Sequence, residues 1–104
     1  MKLLRDYQGL TVRLTDERLE HILEHPEMVA LEASIGETLV DPERVVQSLS
    51  DSSVRLFYRH YPVTSVGAKF LCVVVKMGFE DSFVITAYLT DRMKKGEIVW
   101  PAKS

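Results

Sequence analysis

A chain of 104 residues, 46% of them hydrophobic and 27% charged, has the make-up of one globular domain over residues 1–104, which excludes multi-domain enzymes, solenoid arrays and collagen-like chains. No apolar run approaches the roughly 18 residues a membrane span needs, and Met1 to Leu4 is too short for a signal-peptide core, so a cytoplasmic protein with no membrane partner is expected. The net charge of -2 argues against a general nucleic-acid binder, but it conceals a split: five basic against eleven acidic residues up to Ser52, and eight against four from Ser53 onward.

Leu10 to Leu14 alternates apolar and polar side chains, the period of a half-buried strand. Thr15 then offers a hydroxyl as N-cap, and Asp16 and Glu17 put negative charge at the positive end of a helix dipole. The helix that starts there has a narrow apolar stripe of Leu19, Ile22 and Leu23, which leaves His21 and His25 in one row on the opposite side. Pro26 stops this helix or opens another. Met28, Leu31, Ile35 and Leu39 carry a helical stripe onward to Asp41-Pro42, and Val45, Val46 and Leu49 predict a last short helix after it.

Ser48 to Ser53 is a polar, serine-rich loop where the pattern changes. Val54 to Tyr61, Lys69 to Met77 and Ser82 to Thr90 are rich in β-branched and aromatic residues, with turns at Pro62 to Gly67 and Gly78 to Asp81. They predict an antiparallel meander whose central strand is apolar on both faces. In the first run Arg55, Phe57, Arg59 and Tyr61 share a face; in the third, Phe83, Ile85, Ala87 and Leu89 oppose Thr86, Tyr88 and Thr90. The fold class is α+β, an N-terminal strand and two to three helices packed on one side of the meander. Cys72 has no partner for an internal disulfide and packs as a small apolar group. Trp100-Pro101 reads as a packing contact that closes the core, with a protein-binding anchor as the alternative.

With the apolar row of the third strand facing the helices, Thr86, Tyr88 and Thr90 line the open sheet face, with Arg55 or Arg59 alongside and Lys76 at a strand end. Hydroxyls, a phenol and fixed cations suit phosphate oxygens, although an ordinary solvated face has the same composition. His21-Ile22-Leu23-Glu24-His25 fits H-x-x-E-H, in which two histidines one turn apart bind zinc, but Pro26 breaks the helix at once and no third ligand is marked. The same histidines suit proton transfer near neutral pH, although the motif taken alone favours two exposed surface positions.

Leu14-Thr15 followed by His21-Ile22, then His25-Pro26-Glu27-Met28, Tyr58-Arg59, Val73 to Lys76, Ile85 to Asp91 and Lys94-Lys95-Gly96 resemble a family of small bacterial and phage proteins. That family is the barnase–EndoU–colicin–RelE-like, or phage-type, nucleases, and the likeness runs from about Thr11 to Trp100. It implies a RelE/barnase-like fold and a ribonuclease that needs no metal or other cofactor, often the toxin of a toxin–antitoxin pair. RNA and a cognate antitoxin or immunity protein are the implied partners. The resemblance assigns the helix histidine to His21, the strand basic residue to Arg59 and the last-strand hydroxyl to Thr86, with Tyr88 beside it. The chain departs from RelE-like toxins in carrying histidines where they carry Lys and Arg, and in its acidic pI.

The activity expected on this basis is attack of a ribose 2′-hydroxyl on its own phosphate, leaving a 2′,3′-cyclic phosphate. His21 takes the hydroxyl proton or, with His25, returns one to the leaving oxygen; Arg59 and Lys76 hold the phosphate. Thr86 and Tyr88 position the substrate, and Arg55, Thr90 and Lys94 add contacts to it. The competing expectation is a non-catalytic domain of the same fold, or a degenerate toxin, acting through protein contacts. The catalytic reading requires the histidine row of the first helix to open onto the same hollow as Arg59, Thr86 and Tyr88.

Overall fold

The computed structural model describes residues 1–101. In chain order these form β1 (Lys2–Arg5), β2 (Thr11–Leu14), α1 (Asp16–Leu23), a 3-10 turn (Pro26–Leu31), α2 (Glu32–Val40), β3 (Arg44–Gln47), β4 (Val54–Tyr61), β5 (Lys69–Lys76), β6 (Phe83–Thr90) and β7 (Glu97–Trp100). All the strands join one sheet in the order β1-β2-β6-β5-β4-β3-β7. Neighbours are antiparallel except β2 and β6, so the expected meander of β4, β5 and β6 is present with β5 at its centre. The α+β class and the helices on one side of the sheet are as the periodicity predicts.

The start of α1 follows its sequence signals. Thr15 is extended, with φ -74° and ψ 154°, and its hydroxyl accepts the Arg18 N–H at 3.2 Å. Pro26 both ends and begins helical structure: His25 is held extended before it, and the proline takes the first position of the 3-10 turn, where its missing N–H costs nothing. Ile22, Met28, Leu31, Ile35 and Leu39 then bury against Val12, Leu14, Phe57, Leu71, Val73, Val75, Val84 and Ala87, making the main core between helices and sheet. Truncating a side chain in so dense a layer, such as Ile35, typically costs about 2 to 5 kcal/mol.

Four expectations need correction. Val45 and Val46 lie in strand β3 and not in a third helix: two β-branched residues pair with Phe57 and Leu56 across an antiparallel ladder, which outweighs the helix-start signal of Asp41-Pro42. Two edge strands went unpredicted, β1 and β7, both of four residues. The alternation of β6 is interrupted at a register shift opposite Val74 and Val75, so Val84, Ala87 and Leu89 face the helices while Ile85 packs on the other side. Trp100 does not close the core; it is 40% exposed and rests against Tyr7, with ring centroids 5.1 Å apart.

Candidate functional site

The sheet's second face, turned away from the helices, is neither flat nor bare. Val46, Val54, Leu56, Tyr58 and Cys72 are buried on it, with Phe70, Val74, Ile85, Tyr88 and Met93 packed around them. The cover comes from the chain between β6 and β7: the Lys94 N–H donates to the Tyr58 hydroxyl at 2.9 Å and Met93 drops onto the cluster. Gly96 lets this segment lie close to β3, since a Cβ there would meet the Gln47 carbonyl oxygen and Val46 Cγ1.

Between that segment and the Ser48–Ser53 loop lies a groove of about 460 Å³. Lys94 and Lys95 form one wall, Ser48, Ser50 and Asp51 the other, and Val54, Leu56, Val74, Thr86 and Tyr88 are at its base. The serine wall holds its own shape: the Ser48 and Ser50 hydroxyls are 3.1 Å apart, and Asp51 Oδ1 accepts both the N–H of Ser53, at 2.9 Å, and its hydroxyl, at 2.6 Å. Lys76 Nζ donates to Asp51 Oδ2 at 2.9 Å. These bonds, the Ser53 hydroxyl first and Lys76 second, hold the Asp51 carboxyl well below the usual carboxylate range.

Nothing at the base of the groove titrates near neutral pH. Burial pushes the Tyr58 phenol up to about 12 and the Cys72 thiol up to about 11, and it raises the Tyr88 phenol as well. All three stay protonated, and the buried Tyr88 hydroxyl has only the weakly polar Cys72 thiol beside it and no well-formed hydrogen bond among the described residues. Lys94 Nζ stands 6.0 Å from the centre of the Tyr88 ring. Beyond Tyr88, the next row across the face is Thr90, Phe70 and the exposed His60, whose ring meets Phe70 edge-on at 5.1 Å.

Of the residues expected to share a site, Thr86, Tyr88 and Lys94 meet in this groove, Lys76 borders it through Asp51, and Thr90 lies one row along. The other four lie elsewhere. Arg59 is on the helix side of the sheet, in register with Leu71 and Leu89, whereas Thr86, Tyr88 and Thr90 are in register with Val74, Cys72 and Phe70 on the far side. There it ties down the end of α2: its Nε donates to Glu37 at 3.2 Å, and its Nη1 to the Asp41 carbonyl at 2.8 Å and carboxylate at 3.0 Å. Positive charge at a helix C-terminus also complements the helix dipole. Arg55 shares that face and lies near Tyr7.

His21 and His25 point to solvent from the outer surface of the helical layer. His21 Nδ1 is 3.5 Å from Glu24 and His25 Nδ1 is 3.9 Å from Glu27, and Glu17, Arg18 and Glu20 complete the surroundings of His21. The required meeting of histidine, guanidinium and alcohol therefore does not form: the whole sheet separates the imidazoles from Thr86. Among the described residues no three His, Cys, Asp or Glu side chains come together closely enough to hold a metal ion. Sequence reasoning missed Ser48, Ser50, Asp51 and Lys95 as groove residues; the serine-rich stretch at the change of pattern was the available signal.

No family model matches the chain, and neither a search of curated proteins nor one of solved structures returned a match. Among the described residues no helix is long and apolar enough to cross a membrane.

Proposed function

We propose that this chain is a binding domain for single-stranded RNA, which takes the strand along the outer sheet face and does not cleave it by histidine acid–base chemistry. The observation that carries the reading is the groove itself, where two lysines face two serines across a base that includes Thr86 and Tyr88. Ammonium and hydroxyl groups at these positions are donors for phosphate oxygens. The His60–Phe70 ledge next to it offers ring faces and edges to unstacked bases.

Binding without cleavage is favoured over catalysis because the groove lacks a base of suitable strength. Asp51 is too weak a proton acceptor at neutral pH, and Tyr58, Cys72 and Tyr88 give up their protons only in strong alkali. The acidic surroundings of His21 also repel a phosphate.

The test is fluorescence anisotropy of a labelled single-stranded RNA of about twelve nucleotides with wild-type protein and with Lys94→Ala/Lys95→Ala, each sample re-run on a denaturing gel in EDTA. Binding that needs the lysines, with RNA recovered intact, is the expected result. No binding, or recovery of cut RNA from wild type but not from His21→Ala, overturns it.

A further inference from the structure

A second hollow lies on the helix side of the sheet, at its β7 edge, and is independent of the RNA groove. It encloses about 570 Å³ and is lined by Tyr7, Gln8, Val40, Asp41, Pro42, Val99 and Trp100. Val40, where α2 ends, is 54% exposed and Trp100 is 40% exposed, so apolar surface is open to water. The Tyr7 and Trp100 rings are tilted at 37° to each other. Asp41 presents a carboxylate at the rim: Arg59 takes Oδ2, and Oδ1 accepts no hydrogen bond among the described residues.

Two further observations say what fits there. First, β7 is the last strand of the sheet, so its outer N–H and C=O groups have no strand partner among the described residues. Such an edge is a template for an added strand unless it is guarded. The opposite edge, β1, carries Lys2 and Arg5, while the only charge on β7 is Glu97. Second, the adjoining helical layer from Asp16 to Asp41 holds eight acidic side chains and a single basic one, Arg18, and the acidic excess persists when Arg55 near Tyr7 and Arg59 on Asp41, the sheet's cations beside the hollow, are added. A cationic chain is therefore attracted to this side of the molecule and an anionic one is repelled.

We infer that this hollow docks an extended basic segment of a partner protein, which pairs along the outer edge of β7 and sets a Lys or Arg side chain between the Trp100 ring and the Asp41 carboxylate. The ring supplies a cation–π surface, the carboxylate supplies the counter-charge, and Val40, Pro42 and Val99 receive a neighbouring apolar side chain. Arg59 stays on Glu37 and Asp41 throughout, which keeps the rim fixed before the partner arrives.

Trp100 is the chain's single tryptophan, so its emission reports on the hollow directly. The probe is a synthetic nine-residue peptide alternating Arg and Val, compared with one in which Glu replaces each Arg. The Arg peptide is expected to shift the emission saturably, and the Glu peptide to leave it unchanged. Asp41→Asn and Val40→Arg, both at exposed positions that leave the core intact, are each expected to weaken the Arg peptide by about 5-fold. Lys94→Ala/Lys95→Ala is expected to bind the peptide like wild type, so failure of RNA binding and failure of peptide docking are separately visible. An unchanged emission, equal affinity in Asp41→Asn and Val40→Arg, or a concentration-dependent dimer abolished by Val40→Arg overturns the inference, the last by giving the hollow to a second copy of this chain.

Discussion

Removing the Lys94 and Lys95 ammonium groups tests whether the outer-face groove holds a phosphate backbone. Of the lysines near it, Lys76 is 2.9 Å from Asp51, so its charge is already balanced within the protein. Lys94 and Lys95 are left to neutralise about two phosphates. Each phosphate neutralised on a single strand gives a slope of about -0.7 in log affinity against log salt, so wild type is expected near -1.4, or about 7-fold weaker binding at 200 mM than at 50 mM salt. Lys94→Ala should halve the slope, leaving a loss of about 3-fold over the same range, and the double variant should bind weakly with almost no salt dependence. The fold should survive, because the bond that anchors this segment to Tyr58 comes from the Lys94 backbone N–H. Anisotropy titrations at four salt concentrations measure all three slopes. A double variant with the wild-type slope would refute the reasoning, since the phosphates would then be held elsewhere.

Other expectations follow from the two faces. His21→Ala should change neither RNA affinity nor RNA integrity in EDTA, as a binding titration and a denaturing gel check; cleavage lost on this substitution would restore the catalytic reading. Arg59→Ala should lower stability by about 1 kcal/mol in urea unfolding, because the end of α2 loses its ties to Glu37 and Asp41 while both carboxylates stay hydrated, and it should leave RNA affinity unchanged. Alkali should unfold the protein. Tyr58 and Cys72 have folded values above their ordinary ones, so their contribution is complete below about pH 9 and is lost as the pH rises through 11 to 12, a fall that Cys72→Ala should make shallower in unfolding monitored against pH.

The sequence was most readable where one periodicity dominates and the punctuation is local. Thr15, Asp16 and Pro26 bracket α1 correctly, and the turns around Gly67 and Gly78 separate β4, β5 and β6. Val45 and Val46 were ambiguous because two apolar residues after Asp-Pro satisfy a short helix and a short strand alike, and the long-range pairing with Leu56 and Phe57 decides between them. The site was half readable for a related reason. Alternation tells which side chains share a face, and it grouped Arg55 with Arg59 and Thr86 with Tyr88 correctly. It does not tell which face the helices cover when β5 is apolar on both, with Leu71, Val73 and Val75 on one side and Phe70, Cys72 and Val74 on the other. The helices chose the Phe57 side, which put Arg59 beneath them and Thr86 on the far surface. Burial of Tyr58 on that far surface depends on the β6–β7 segment, a contact between residues 36 positions apart that no local pattern announces.

Backbone amide chemical-shift mapping with a single-stranded RNA tests the central claim most directly. The account predicts that the signals moving on titration gather at Ser48 to Asp51, Thr86 to Tyr88 and Lys94 to Lys95, while those of α1 and α2 stay in place. Shifts concentrated around His21, His25 and Arg59, with the outer groove unmoved, would contradict it.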